Sequence, residues 1–283
     1  MKKLSIILII ALLCSIFVGC NGNNHAQVAA TTSAVYQFTS ALCADTDISV
    51  TKLVTESVSC LHDYSLNIRQ VQAANAAEVI VISGGGLEEA FMGDVLRGKN
   101  VIDSCAGIEL AVRNELTKEK DSHIWLSPAH AKQMAKNICD GLIKQYPEKK
   151  EAFEKNLTAL NGKFDELQTY GESQLKDLAC REMITFHDGF GYFADAFDLT
   201  ILRSIEEEAG SEASARELEE LIGLVKEHKL PAIFTETNGS AVSAHTIKSE
   251  TGVEVYPLDM CMGNLDYFAA IRRNIDTVKE ALG

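Results

Sequence analysis

The sequence predicts an α/β protein of two lobes, each built on a parallel sheet and joined by one long helix. Three observations carry that expectation. Short β-branched runs alternate with helix-period segments through roughly the first hundred residues, the same alternation resumes after residue 180, and a charge-rich stretch of helical character lies between. Strands that alternate with helices pair as parallel βα units, so two such runs make two α/β lobes.

Taken in order, the chain opens with Lys2-Lys3, an apolar run from Leu4 to Val18, then Gly19-Cys20 and the polar Asn21-Gly22-Asn23-Asn24. A basic start, an apolar stretch of about 15 residues and a small residue before cysteine are the marks of export, cleavage and lipidation, whereas a spanning helix needs about 20 apolar residues. Residues 1–19 are therefore expected to be a lipoprotein signal peptide and Cys20 the acylated mature N-terminus, although Phe17 stands where leucine is commonest. An ordinary secretory signal cut near the same place is the alternative; both put the protein outside the cytoplasm. Residues 20–32 are small and polar and read as a disordered tether.

The N-terminal lobe is expected over 33–145. Ser49 to Val54, Val79 to Ser83 and Val101 to Asp103 read as strands, with helices near Asn67 to Asn75 and Leu87 to Leu96. Ser83-Gly84-Gly85-Gly86 reads as a tight strand-to-helix turn; a lone glycine run is weak grounds for a phosphate cradle. A linking helix is expected over 146–178, opened by Pro147 in its first turn. There Phe153, Leu157, Leu160, Phe164 and Leu167 form one apolar stripe at spacings of three and four. The C-terminal lobe follows over 179–283. Its strands are Glu182 to Thr185, Leu199 to Leu202, Ala232 to Thr235 and Val253 to Pro257, and its helices Ala213 to His228, Ser240 to Thr251 and Leu265 to Leu282.

Composition excludes some functions. The formal charge is −14 and no basic stripe is visible, which argues against a nucleic-acid binder. Apolar residues make up 46% of the chain, enough for sizeable cores. With Cys14 in the signal and Cys20 at the lipid site, Cys43, Cys60, Cys105, Cys139, Cys180 and Cys261 remain as thiols or disulfides, and the absence of CxxC removes thioredoxin-type and zinc-ribbon readings.

Three histidines occupy the same kind of place, a loop just after a strand or just before a helix. His62 sits in Ser59-Cys60-Leu61-His62-Asp63-Tyr64, and His187 in Ile184-Thr185-Phe186-His187-Asp188-Gly189 at the carboxyl end of a strand. His123 precedes a helix marked by Ser127 as cap and Pro128 in the first turn. Carboxyl ends of strands face the crevice of an open α/β sheet, so all three can converge on one cleft. With a carboxylate they make a four-donor set for Zn²⁺ or another divalent first-row metal. Asp259, just beyond the strand from Val253, is the leading carboxylate and Glu236 the second. His25, His130, His228 and His245 fall in the tether, inside a helix, at a helix end and on an exposed helical face, and are set aside.

From Val35 onward the chain resembles the metal-specific cluster A-I solute-binding proteins of bacterial ABC transporters, the zinc and manganese uptake lipoproteins. The matching pieces stand in the family's order: His62-Asp63-Tyr64; Val79-Ile80-Val81-Ile82 with Gly85-Gly86-Leu87-Glu88; His123-Ile124-Trp125-Leu126-Ser127-Pro128; His187-Asp188-Gly189-Phe190-Gly191-Tyr192-Phe193; Ile233-Phe234-Thr235-Glu236; Glu250-Thr251-Gly252; and Leu258-Asp259. The resemblance implies two Rossmann-like lobes with the metal in the cleft between them, held by His62, His123, His187 and Asp259, two from each lobe. It implies Zn²⁺ as cargo, with Mn²⁺ possible, a membrane permease as partner, a monomer held at the membrane by its lipid, and no catalysis. A histidine at the third ligand position is the zinc-associated pattern.

Asp188 is expected behind His187 as an acceptor or a helix cap, and Trp125 as a wall of the cleft. Asn114-Glu115-Leu116-Thr117-Lys118-Glu119-Lys120 stands where many zinc members carry a His-rich loop. Cys60 and Cys261, each two residues from a proposed ligand, raise the option of a thiolate ligand or a bracing disulfide. The rival readings are a manganese-binding member of the same family, an exported zinc hydrolase with Glu236 or Asp259 as general base, and a surface adhesin.

Overall fold

The computed structural model describes residues 26–56, 61, 64–114, 119–206, 213–237 and 242–283. The expected signal peptide, the lipidation candidate Cys20, the start of the tether, Cys60 and His62 lie outside them.

Four strands, β1 (Val28–Ala30), β2 (Val50–Lys52), β3 (Val79–Ile82) and β4 (Val101–Asp103), form the first sheet in the order β2-β1-β3-β4, all parallel. Helices α1 (Ser33–Leu42), α2 (Ile68–Ala76) and α3 (Glu89–Leu96) connect them. The tether expectation fails at its end, because β1 is an inner strand with all three residues buried. Three small apolar residues show no period of their own. They become a strand because β2 and β3 pair on either side, Val28 with Val50 and with Val79, while Val35, Phe38 and Leu42 of α1 belong to the same core.

The glycine turn after β3 bends as expected, with positive φ of 84°, 68° and 90° at Gly84, Gly85 and Gly86. Its backbone amides serve the chain's own carboxylate. Buried Glu88 accepts from Thr31 Oγ1 (2.6 Å) and Ser83 N (2.7 Å) on one oxygen and from Gly84 N (3.0 Å) on the other. Burial pushes the Glu88 carboxyl above its ordinary pKa, against the pull of those hydrogen bonds.

A short antiparallel pair, β5 (Val112–Asn114) and β6 (Glu119–Lys120), precedes a 3₁₀ turn at Ile124–Leu126 and helix α4 (Pro128–Gln145). Ser127 caps α4 by accepting from His130 N, with Pro128 in the first turn. After a second 3₁₀ turn at Pro147–Lys149, helix α5 (Lys150–Gln174) runs for 25 residues, about 37 Å at 1.5 Å per residue. It is shorter than the expected 146–178 because Tyr146 leaves helical geometry (ψ 68°) and the 3₁₀ turn intervenes. Phe153, Leu160, Phe164 and Leu167 of the stripe are buried, and Gly171 extends it.

The second sheet has the order β10-β9-β7-β8, again all parallel, from β7 (Glu182–His187), β8 (Thr200–Glu206), β9 (Ala232–Glu236) and β10 (Glu254–Leu258). Its helices are α6 (Gly191–Ala196), α7 (Ala215–His228), α8 (Val242–Thr251) and α9 (Tyr267–Leu282).

The lobes share one core. Helix α5 packs on α1 and α4 of the first lobe and on α9 of the second. Phe38, Phe164 and Tyr267 meet edge to face, with centroids 5.3, 4.9 and 5.8 Å apart, a geometry that adds to their area burial. The five cysteines among the described residues are free thiols, four of them buried. Burial pushes the Cys43 thiol up to about 12 and those of Cys105 and Cys139 to about 11, so they stay protonated core residues. No helix among the described residues is long and apolar enough to cross a membrane.

Two glycines in α5 separate packing from propensity. A Cβ on Gly171 would meet the Phe197 ring at 2.1 Å, whereas one on Gly162 meets nothing within 4 Å. Alanine gains about 1 kcal/mol of helix propensity at either position, while overpacking costs about 1–3 kcal/mol. Gly162→Ala is expected to raise Tm, and Gly171→Ala to lower it by several degrees, in thermal unfolding followed by circular dichroism.

Candidate metal centre

His187 ends β7 and is 2% exposed; His123 precedes the 3₁₀ turn that leads into α4 and is 7% exposed. The two come from opposite lobes, yet their Nε2 atoms lie 3.3 Å apart with the rings nearly perpendicular (88°). Behind each ring stands a buried carboxylate. Asp121 Oδ1 lies 2.9 Å from His123 Nδ1 and also accepts the His123 backbone N–H at 2.9 Å. Glu236 Oε1, at the end of β9, lies 3.1 Å from His187 Nδ1.

This arrangement dictates the chemistry. A carboxylate beside Nδ1 favours the tautomer with the proton there, which leaves the lone pair on Nε2 and orients the ring. Both lone pairs then point into the same small space and repel unless a proton or a cation lies between them. Two imidazole nitrogens each about 2.0–2.1 Å from a tetrahedral zinc ion stand about 3.3 Å apart. The observed separation therefore fits two adjacent positions of a tetrahedral shell.

Other contacts hold the pair in place. A Cβ on Gly189 would lie 2.6 Å from His187 Cδ2 and 2.5 Å from Met260 Cε, so only glycine lets the backbone pass the ring. Trp125, fully buried, packs at 5.4 Å from His123 and donates from Nε1 to the Met260 carbonyl at 2.9 Å. Instead of facing open space as a cleft wall, it ties the lobes together. Tyr267 Oη donates to the Trp125 carbonyl at 2.7 Å, and Tyr192 Oη donates to the Asp121 carbonyl at 3.2 Å and accepts from Ala111 N at 2.9 Å.

The structure thus brings together His123, His187 and Glu236 of the expected residues. Asp259 follows β10, whose Leu258 is in register with Glu236, so it lies on the same edge of the sheet. Its Oδ1 accepts from Cys261 N (2.7 Å) and its Oδ2 from Arg273 (3.0 Å). Among the described residues, no third His, Cys, Asp or Glu is gathered with the histidine pair at ligand spacing. Asp188 accepts from Ser204 Oγ at 3.0 Å, on the neighbouring strand, and α6 is capped at Phe190. The Cys261 thiol is buried beside Asp259, and burial pushes it well above its ordinary pKa. Asp121 and Tyr192 were missed as site residues. Asp121 had a local signal, a carboxylate two residues before a candidate histidine; the role of Tyr192 depends on contacts across 71 and 81 residues of chain.

Two parallel-sheet lobes bridged by a long helix, with a histidine from each lobe meeting between them, define a two-lobe α/β binding protein. Within that class, the chain belongs to the ZnuA family: residues 28–281 match the family described as zinc-uptake complex component A, periplasmic. It is 28% identical to the high-affinity zinc uptake system protein ZnuA of Bacillus subtilis, over 99% of this chain and 98% of that protein. It is also 28% identical to the zinc-binding lipoprotein AdcA of Streptococcus pneumoniae, over 99% of this chain. The chain spans only 61% of that longer relative. Among solved structures, a crystal structure of ZnuA superposes with a TM-score of 0.82 at 28% identity, covering 91% of this chain and 99% of the other. The laminin-binding protein of Streptococcus agalactiae, described as bifunctional with adhesin and metal-transporting activity, gives a TM-score of 0.81 at 25% identity over 91% and 100%.

Asp121→Asn keeps an acceptor for His123 Nδ1 but removes the negative charge behind the ring, and is expected to weaken zinc binding about 10- to 100-fold. Competitive titration against a fluorescent chelator measures the loss, with far-UV circular dichroism to show the fold intact.

Proposed function

We propose that this chain captures a divalent transition metal, Zn²⁺, outside the cytoplasm and delivers it to the permease of an ABC transporter. The observation that carries the reading is the 3.3 Å approach of two imidazole Nε2 atoms from opposite lobes, each ring backed by a buried carboxylate. That spacing suits one ion bound to both nitrogens.

The ligand set proposed is His123 and His187 with His62 and Asp259. Three imidazoles favour Zn²⁺ over the harder Mn²⁺, which prefers oxygen donors. Four protein ligands close a tetrahedral shell and leave no position for an activated water, so the chain acts by binding and catalyses nothing. Glu236 and Asp121 then orient the rings, with no ligand role of their own. Cys20 carries the lipid that holds the protein, as a monomer, at the outer face of the membrane. Residues up to about 145 and from about 179 onward act as the two lobes. Release needs one lobe to open or the imidazoles to take up protons, because metal binding requires their neutral form.

The test is a competitive titration of the metal-stripped protein with Zn²⁺ and Mn²⁺. One tightly bound zinc per chain with much weaker manganese is expected, and His187→Ala should lose at least 100-fold in zinc affinity while keeping its helical signal. Preferential manganese binding would overturn the metal, and zinc affinity untouched by His187→Ala would overturn the site.

A further inference from the structure

Beyond the ligand set, one cation is already bound to a proposed ligand. Asp259 is held on every side. Its backbone N donates to Asn274 Oδ1 and its carbonyl accepts from Asn274 Nδ2, both at 2.8 Å, and Asn274 is 1% exposed. Its Oδ1 accepts from Cys261 N at 2.7 Å, and its Oδ2 from the Arg273 guanidinium at 3.0 Å. Asn274 and Arg273 are neighbours on α9, so one turn of that helix fixes both the position of the carboxylate and the charge beside it. The Asp259 side chain is 14% exposed and that of Arg273 is 52% exposed.

We propose that Arg273 is a specificity-determining residue, which sets the preference for zinc over manganese by drawing on Asp259, the one carboxylate among the four proposed ligands. The inference rests on the reading of Asp259 as a ligand. A metal ion that reaches this carboxylate must share it with a guanidinium or displace it, and either costs affinity through repulsion between two cations. The cost falls unequally. Mn²⁺ depends on hard oxygen donors, and here the Asp259 carboxylate is partly neutralised. Zn²⁺ keeps strong bonds to imidazole nitrogen and loses a smaller share of its binding. The guanidinium is half exposed, so its influence is screened as salt increases. Had Arg273 merely oriented Asp259, its removal would weaken both metals; competition for the carboxylate predicts the opposite sign.

The experiment is competitive titration of the full mature protein with Zn²⁺ and with Mn²⁺, for the parent chain and for Arg273→Gln, Arg273→Lys and Asp259→Asn, each checked for fold by circular dichroism. Arg273→Gln is expected to strengthen manganese binding about tenfold and zinc binding by less, lowering the zinc-to-manganese ratio several-fold, and the change should shrink in high salt. Arg273→Lys should restore most of the parent ratio. Asp259→Asn should weaken both metals. If Asp259→Asn weakens binding but Arg273→Gln leaves the ratio unchanged, or weakens both metals, the proposal for Arg273 is overturned while the ligand reading stands. If Asp259→Asn changes nothing, the ligand reading fails and the proposal falls with it.

Discussion

The Nε2 atoms of His123 and His187 meet at 3.3 Å although 64 residues of chain separate them, and no local element could place them so. That approach is possible only if the lobes are held at one distance and one angle. The tie is a set of contacts rather than a single bond. Helix α5 runs along both lobes, the Phe38, Phe164 and Tyr267 rings join them, and Trp125 and Tyr192 cross beside the histidines. Aromatic packing adds to the burial of apolar area, and the hydrogen bonds set direction.

The local chemistry follows from that distance. Two lone pairs directed into one space are unfavourable by themselves, and the buried carboxylates behind them keep both rings in that tautomer. The second lobe supplies Glu236 for its own histidine and Tyr192 for the segment that carries the other lobe's Asp121. The second lobe therefore contributes to the orientation of both rings. A lobe displacement of one ångström along the line joining the two nitrogens would carry them beyond the span of one tetrahedral ion.

Much of this was legible in the sequence, for definite reasons. Strands such as Val79–Ile82 and Ala232–Glu236 announced themselves as β-branched runs that end at turns, and the α5 stripe announced itself by period. The histidines could be picked out because they stand beside strand and helix ends, where the topology opens a crevice. Strand β1 was hidden because Val28-Ala29-Ala30 has too few residues to show alternation, and its partners lie 22 and 51 residues further on. Arg273 was illegible for a related reason. On its helix it is one charged residue among several, and only the fold sets its guanidinium against Asp259, 14 residues before it. Asp121 and Tyr192 acquire their roles in the same way, through space.

X-ray absorption at the zinc edge of the loaded protein reads the metal's ligand shell itself. Four nitrogen or oxygen neighbours at about 2.0–2.1 Å, the outer-ring scattering of at least two imidazoles, and no sulfur are expected. A shell without imidazole, or one with sulfur at about 2.3 Å, would contradict the proposed site.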